Sequence, residues 1–174
     1  AKAHLASLIP RVPHPTPPAS YARPVPIAAL AFSPDGKQLA ASGYHEVTLW
    51  EPATGKLLGR VQNLPQRIQA LAWHPQGRWL AVGGGSPGQS GEVALVDPAQ
   101  RAVTKVLGTT IDTVMALAFD ADGTRLAAGG ADNAIRLFSV PEGKELKLLQ
   151  QHADWVQGLA FSPDGKHLAS ASRD

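Results

Sequence analysis

Apolar and polar residues alternate in short runs along most of the chain. In "IAALAF" (27–32), "IQALAW" (68–73), "VMALAF" (114–119) and "VQGLAF" (156–161), side chains two apart share a face, as in a half-buried strand. Each run ends in an aromatic: Phe32, Trp73, Phe119 or Phe161. A four-residue turn follows, reading "SPDG", "HPQG", "DADG" and "SPDG". Pro at its second place presets φ, and the closing Gly tolerates a left-handed backbone. A short apolar strand comes next, such as Leu39–Ala41 or Leu126–Ala128, and then a third strand ending "VTLW" (47–50), "VALV" (93–96) or "IRLF" (135–138). After another turn, the more polar "KLLGRV", "AVTKVL" and "ELKLLQ" read as outer strands. Nothing in 27–174 has the 3.6-residue period of a long amphipathic helix.

The turn glycines Gly36, Gly77, Gly123 and Gly165 are 41, 46 and 42 residues apart. A period near 40 means stacked supersecondary units. Each unit predicts four antiparallel strands, at about 26–62, 63–108 and 109–150, with a half unit at 151–174. Residues 1–25 read as a Pro-rich N-terminal segment or linker, polyproline-like over roughly 10–18, with room for one short outer strand at 20–25.

These residues resemble the WD-repeat β-propeller family, of a divergent, bacterial type, over roughly 27–174. The carriers are the four turns in register, "LWE" at 49–51, "VD" at 96–97, "RLF" at 136–138 and "QH" at 151–152. The resemblance implies an all-β fold: four-stranded blades arrayed around a channel, three complete and half of a fourth, in an incomplete ring. It also implies a hydrogen-bonded tetrad of His, Ser/Thr, Asp and Trp that braces a blade. The fourth repeat matches it at His152, Ser170 and Asp174. The third keeps Asp132, with Thr110, Ala128 and Phe138 at the other places. The first keeps Trp50, with Arg23 and Ala41 where His and Ser belong, and the second keeps none.

Three and a half blades leave a strand edge and an apolar face uncovered. Three readings follow: a piece of a longer protein whose further blades complete the ring, a second copy giving seven blades, or an open arc held by another partner. The first is preferred.

Composition narrows the function classes. Apolar residues make up 44% and charged residues 17%, which is globular. A net charge of +2 without any Lys/Arg block argues against a nucleic-acid partner. No apolar run approaches the ~20 residues of a membrane span, and no signal peptide is visible. Cysteine is absent, which removes disulfides, thiolate nucleophiles and sulfur metal sites.

Candidate chemistry is thin. "GGGSPGQSG" (83–91) contains the glycine spacing of a dinucleotide fingerprint, but a strand follows where the phosphate-binding helix must stand. It reads as a long flexible turn between strands two and three of the second blade. "DADG" (120–123) lacks the further oxygen ligands of a Ca²⁺ loop. The six histidines show no helical metal spacing, His4 and His14 falling in the linker and His45 and His74 in turns. A Ser/His/Asp set near Ser170 lacks an oxyanion hole and a strained Ser. Trp79, Trp155 and Arg78 are candidates to reach a surface.

No catalytic residue, cofactor or metal is therefore assigned. The expected function is a non-enzymatic scaffold for protein partners, with Tyr44, His45, Gln89 and Asn133 as contact positions on loops. The alternative is a propeller attached to an enzymatic or redox domain, such as a c-type haem domain, outside this chain. No Cys-x-x-Cys-His is present to support it.

Overall fold

The computed structural model of the chain describes residues 13–22 and 24–174. Among these residues there are fourteen strands and no helix. The first sheet holds β1 (Leu30–Phe32), β2 (Leu39–Ser42), β3 (Val47–Glu51) and β4 (Lys56–Val61). The second holds β5 (Arg67–Trp73), β6 (Leu80–Ser86), β7 (Ser90–Asp97) and β8 (Ala102–Thr110). The third holds β9 (Val114–Phe119), β10 (Arg125–Gly130), β11 (Ile135–Ser139) and β12 (Glu145–Leu149). A two-stranded sheet of β13 (Val156–Phe161) and β14 (Leu168–Ser172) follows. In every sheet, strands adjacent in sequence are paired antiparallel. The described residues 20–22 and 24–25 form no strand.

The turn between the first two strands has one geometry in all four repeats. Gly36, Gly77, Gly123 and Gly165 all sit at φ between 67 and 76°, where only Gly is free of Cβ strain. Ser33 and Ser162 each donate a hydroxyl to the turn Asp two residues on, at 2.6 Å. The pairing of third with fourth strand also shifts register at one repeated place, just before Trp50, Val96 and Phe138.

The sheets pack face to face in series and form no closed ring. Val47, Leu49, Leu80, Val82 and Val96 fill the first interface, and Val93, Leu95, Leu126 and Phe138 the second. Each fully buried side chain of this kind contributes about 1.5–3 kcal/mol. In the second, third and fourth repeats, the aromatic that ends the first strand packs on the preceding sheet. Trp73 joins the first core and donates its indole N–H to the Ala31 carbonyl at 2.9 Å. Phe119 packs on the second core, and Phe161 lies 5.5 Å below the Arg125 guanidinium. Among the described residues no sheet precedes β1, and Phe32 is 60% exposed, beside exposed Leu30 and Ile27.

The segment at 83–91 differs from the expected flexible turn. β6 and β7 continue to Ser86 and Ser90, leaving only Pro87–Gly88–Gln89 as the loop. Gly83, Gly84, Gly85 and Gly91 serve close approach, while Gly88 sits in the loop at φ 68°. A Cβ on Gly84 would overlap the backbone of Arg67 and Ile68 on β5.

Candidate protein-interaction surface

The turns joining second and third strands lie at equivalent places in successive blades, and they build one rim. His45 and Asn133 occupy the same repeat position and share a left-handed backbone, at φ 61 and 62°. Their side chains differ in fate. Asn133 donates Nδ2–H to the Ala153 carbonyl at 3.1 Å, tying the third blade to the entry of the fourth. His45, expected to meet partners, is buried at 7% exposure, with Nδ1 3.0 Å from the Leu64 carbonyl. Its turn points the ring inward, and Tyr44 caps it edge-on at 4.6 Å. Tyr44 and Gln89 stay exposed.

The fourth repeat brings His152, Ser170 and Asp174 together. His152 places Nε2 2.8 Å from Ser170 Oγ and Nδ1 3.1 Å from Asp174 Oδ1. A carboxylate only accepts, so Nδ1–H is the donor toward Asp174, and Nε2 is left to pair with the Ser170 hydroxyl. Asp174 Oδ2 accepts the Ala153 amide at 2.7 Å. That amide first, the Ser172 hydroxyl next and then His152 hold the Asp174 carboxyl down at about 2. A Ser–His–Asp chain in this order resembles a nucleophilic triad in connectivity. Ser170, however, pairs with Leu159 in an extended strand, and its backbone is not in the left-handed region. A nucleophile of that kind is lifted out on a strained turn.

Asp132 and Trp50 lie apart from this network. Asp132 pairs with Arg136, Nη1 to Oδ2 at 2.7 Å. Trp50 donates to the Thr48 hydroxyl at 2.9 Å, two residues back on its own strand. Arg23 lies outside the described residues. In "DADG", Asp120 is buried and held by Arg125 at 2.6 Å, while Asp122 accepts from the Thr124 hydroxyl at 3.0 Å. Both carboxylates are thus engaged within their own turn.

Of the aromatic and basic candidates, Trp79 is half-buried against His74, 5.1 Å between ring centres. Trp155 is 39% exposed, with the Arg173 guanidinium 4.7 Å over its ring. His74 is buried between Trp79 and Phe119. Burial first, and then the Arg78 charge, lower its pKa below the usual imidazole value.

The residues 13–22 form a strap across the first two blades, fixed by side chains rather than by strand pairing. The His14 amide donates to Asn63 Oδ1 at 2.9 Å, and His14 Nε2 stands 3.5 Å from Glu92 Oε2. Arg60 donates from Nη2 to the Pro18 carbonyl at 2.7 Å and from Nη1 to the Ala19 carbonyl at 3.2 Å. Its guanidinium also grips Glu46, through Nε to Oε2 and through Nη2 to Oε1 at 2.7 Å. The Tyr21 hydroxyl lies 3.0 Å from both Glu46 Oε1 and the Tyr44 carbonyl. Burial first, and then Glu46, raise the Tyr21 pKa. The signal for Glu46 and Glu92 was positional: each directly precedes the third-strand run, "VTLW" or "VALV".

Serial four-stranded meanders with repeated turns define a β-propeller-type repeat protein. The family model "WD40: WD domain, G-beta repeat" matches residues 20–51, 58–88, 103–139 and 143–174, and the chain belongs to this family. Among curated proteins it is similar to "Telomerase protein component 1" of Rattus norvegicus, 32% identical over 123 residues, 69% of this chain and 4% of that protein. It is similar to "WD repeat-containing protein VIP3" of Arabidopsis thaliana, 29% identical over 140 residues, 72% of this chain and 43% of that protein. "Centriole proteome protein 16" of Chlamydomonas reinhardtii is 38% identical over 74 residues, 41% of this chain and 4% of its own length. The chain therefore spans less than half the length of each of these relatives. All three are eukaryotic, so the bacterial type suggested by the resemblance draws no support from them.

Proposed function

We propose that the chain is a non-enzymatic scaffold that presents one rim of its blades to protein partners. The observation that carries this is the pair of apolar cores between successive blades, with Leu49, Leu80 and Val82 in one and Leu95, Leu126 and Phe138 in the other. They hold the rim turns with Tyr44, Gln89 and Asn133 at fixed spacing. A partner then meets a preorganised surface, and less binding free energy is lost to ordering. His152, Ser170 and Asp174 act in this reading as a brace for the fourth repeat rather than as chemistry.

The test is a photo-crosslinking amino acid placed singly at Tyr44, Gln89 and Asn133, with Lys147 on the outer strand as control. The expected result in a source-cell extract is one common polypeptide captured from the three rim positions and not from Lys147. Capture spread evenly over all four positions would sink the reading.

A second reading concerns the free face of the first blade. Phe32 and Leu30 occupy the place through which later blades pack on their predecessors. We read that face as the seat of another blade, from the same polypeptide or from a second copy. Light scattering separates the two, because a second copy doubles the 18.2 kDa mass.

A further inference from the structure

Two carboxylates at one position of the repeat are buried on the same rim, and one stretch of chain is seated on both. The side chains of Glu46 and Glu92 are only 4% and 9% exposed. The third repeat carries Ala134 at this place, fully buried, so a blade of this family folds without a carboxylate there. Taking a carboxylate out of water is unfavourable unless charge-assisted hydrogen bonds replace the lost hydration. Arg60 and the Tyr21 phenol supply them at Glu46, and His14 stands over Glu92.

The chemistry of the seat describes its ligand. Arg60 reads two successive backbone carbonyls, and Glu46 reads a phenol. His14 offers the amide received by Asn63. A seat that takes mainly carbonyls suits a segment poor in N–H donors and already extended, which is what proline provides. Clefts of about 390 Å³ at His14 and 470 Å³ at Tyr21 flank the strap. No strand pairing holds it in place. A tethered segment faces its seat at an effective concentration in the mM range, so contacts of modest strength keep it there while leaving it open to exchange.

We propose that the rim over Glu46, Arg60 and Glu92 is a binding site for proline-rich segments that carry a tyrosine, filled in cis by residues 13–22. The site rests on the scaffold reading and names one class of its partners. Occupation in cis makes the strap a competitor that a partner's segment must displace.

The probe is a fluorescein-labelled peptide of the strap's own sequence, PHPTPPASYA, titrated by anisotropy into the full chain. Against a Tyr21→Ala chain, whose own strap is weakened, binding is expected to saturate. Against the unaltered chain it is expected to be roughly tenfold weaker, because only the strap-free fraction is competent. Adding Arg60→Lys, or using a peptide with Ala for its tyrosine, is expected to abolish it. Equal binding to both chains, or to both peptides, would overturn the proposal. Should Tyr21→Ala unfold the chain, the unaltered chain decides. Excess unlabelled peptide is expected to move the Tyr21 ring resonances to their values in an unfolded peptide, and unmoved resonances count against the site. Crosslinking at Gln89 and Asn133 is independent of the strap, so failure here leaves the broader reading standing.

Discussion

β10 and β14 are the same strand of successive repeats, "RLAAGG" and "LASAS" at their cores. β10 is buried almost throughout, whereas β14 is mostly exposed. Sequence does not explain the difference, since Leu126 and Leu168 follow the same turn and face the same way. Neighbours do. β10 lies between β9 and β11 and has sheets on both faces, while β14 pairs with β13 alone. Burial in a stacked repeat is a property of the interface, shared by two units and owned by neither. The tetrad-like residues His152, Ser170 and Asp174 are gathered in the least covered repeat. The well-covered second blade keeps none of them and relies on packing.

The sharpest way to break this comparison is to truncate both leucines. Leu126→Ala empties a fully buried site and is expected to cost about 2–5 kcal/mol in urea unfolding. Leu168→Ala, at a half-buried site, is expected to cost less than about 1 kcal/mol. Equal costs would mean that the two strands are covered alike. A Cβ gives the next test. Gly84→Ala would press on the backbone of Arg67 and is expected to cost about 1–3 kcal/mol. Gly158→Ala meets only the Ala171 methyl at 3.4 Å and is expected to stay within about 0.5 kcal/mol of the parent.

Acid sharpens the contrast more gently. His74 is buried between the second and third blades with its pKa lowered, so the folded state holds fewer protons than the unfolded chain. Its contribution is fully present above about pH 6.5 and declines as pH falls below that value. Denaturation midpoints at pH 8 and 5 are expected to differ less in His74→Ser, which restores the residue type of Ser33 and Ser162. An unchanged pH dependence would contradict this. The smallest effect is expected at Asp174. Its carboxyl, held at about 2, favours the fold above pH 3.8 and loses that contribution as pH drops toward 2. NMR titration of Asp174 reads the value directly, and Ser172→Ala and His152→Ala are each expected to raise it.

Strand order and turn positions were legible because each rests on local rules: period-2 alternation, Pro and Gly in the turns, and a repeat near 40 residues. The 83–91 hairpin was misread because glycine has two uses. Flexible loops and crowded strands both require it, and only the position of Arg67 on β5 distinguishes them. His45 was misplaced for a related reason, since a left-handed turn residue can point either way and the Leu64 carbonyl decides. Arg60 carried no signal at all, because its partners Pro18, Ala19 and Glu46 are up to 42 residues away in sequence. Chemistry assembled from distant places on a repeat is invisible to any local window.

The serial packing of inner strands, β1 on β5, β5 on β9 and β9 on β13, has a kinetic side. Each sheet leans chiefly on the one before and the one after, so cooperativity passes along the array as between spins in a chain. Opening should begin at the half-covered hairpin and travel inward, reaching the second blade last. Backbone amides would then exchange in a gradient, fastest in β14 and slowest in β6 and β7.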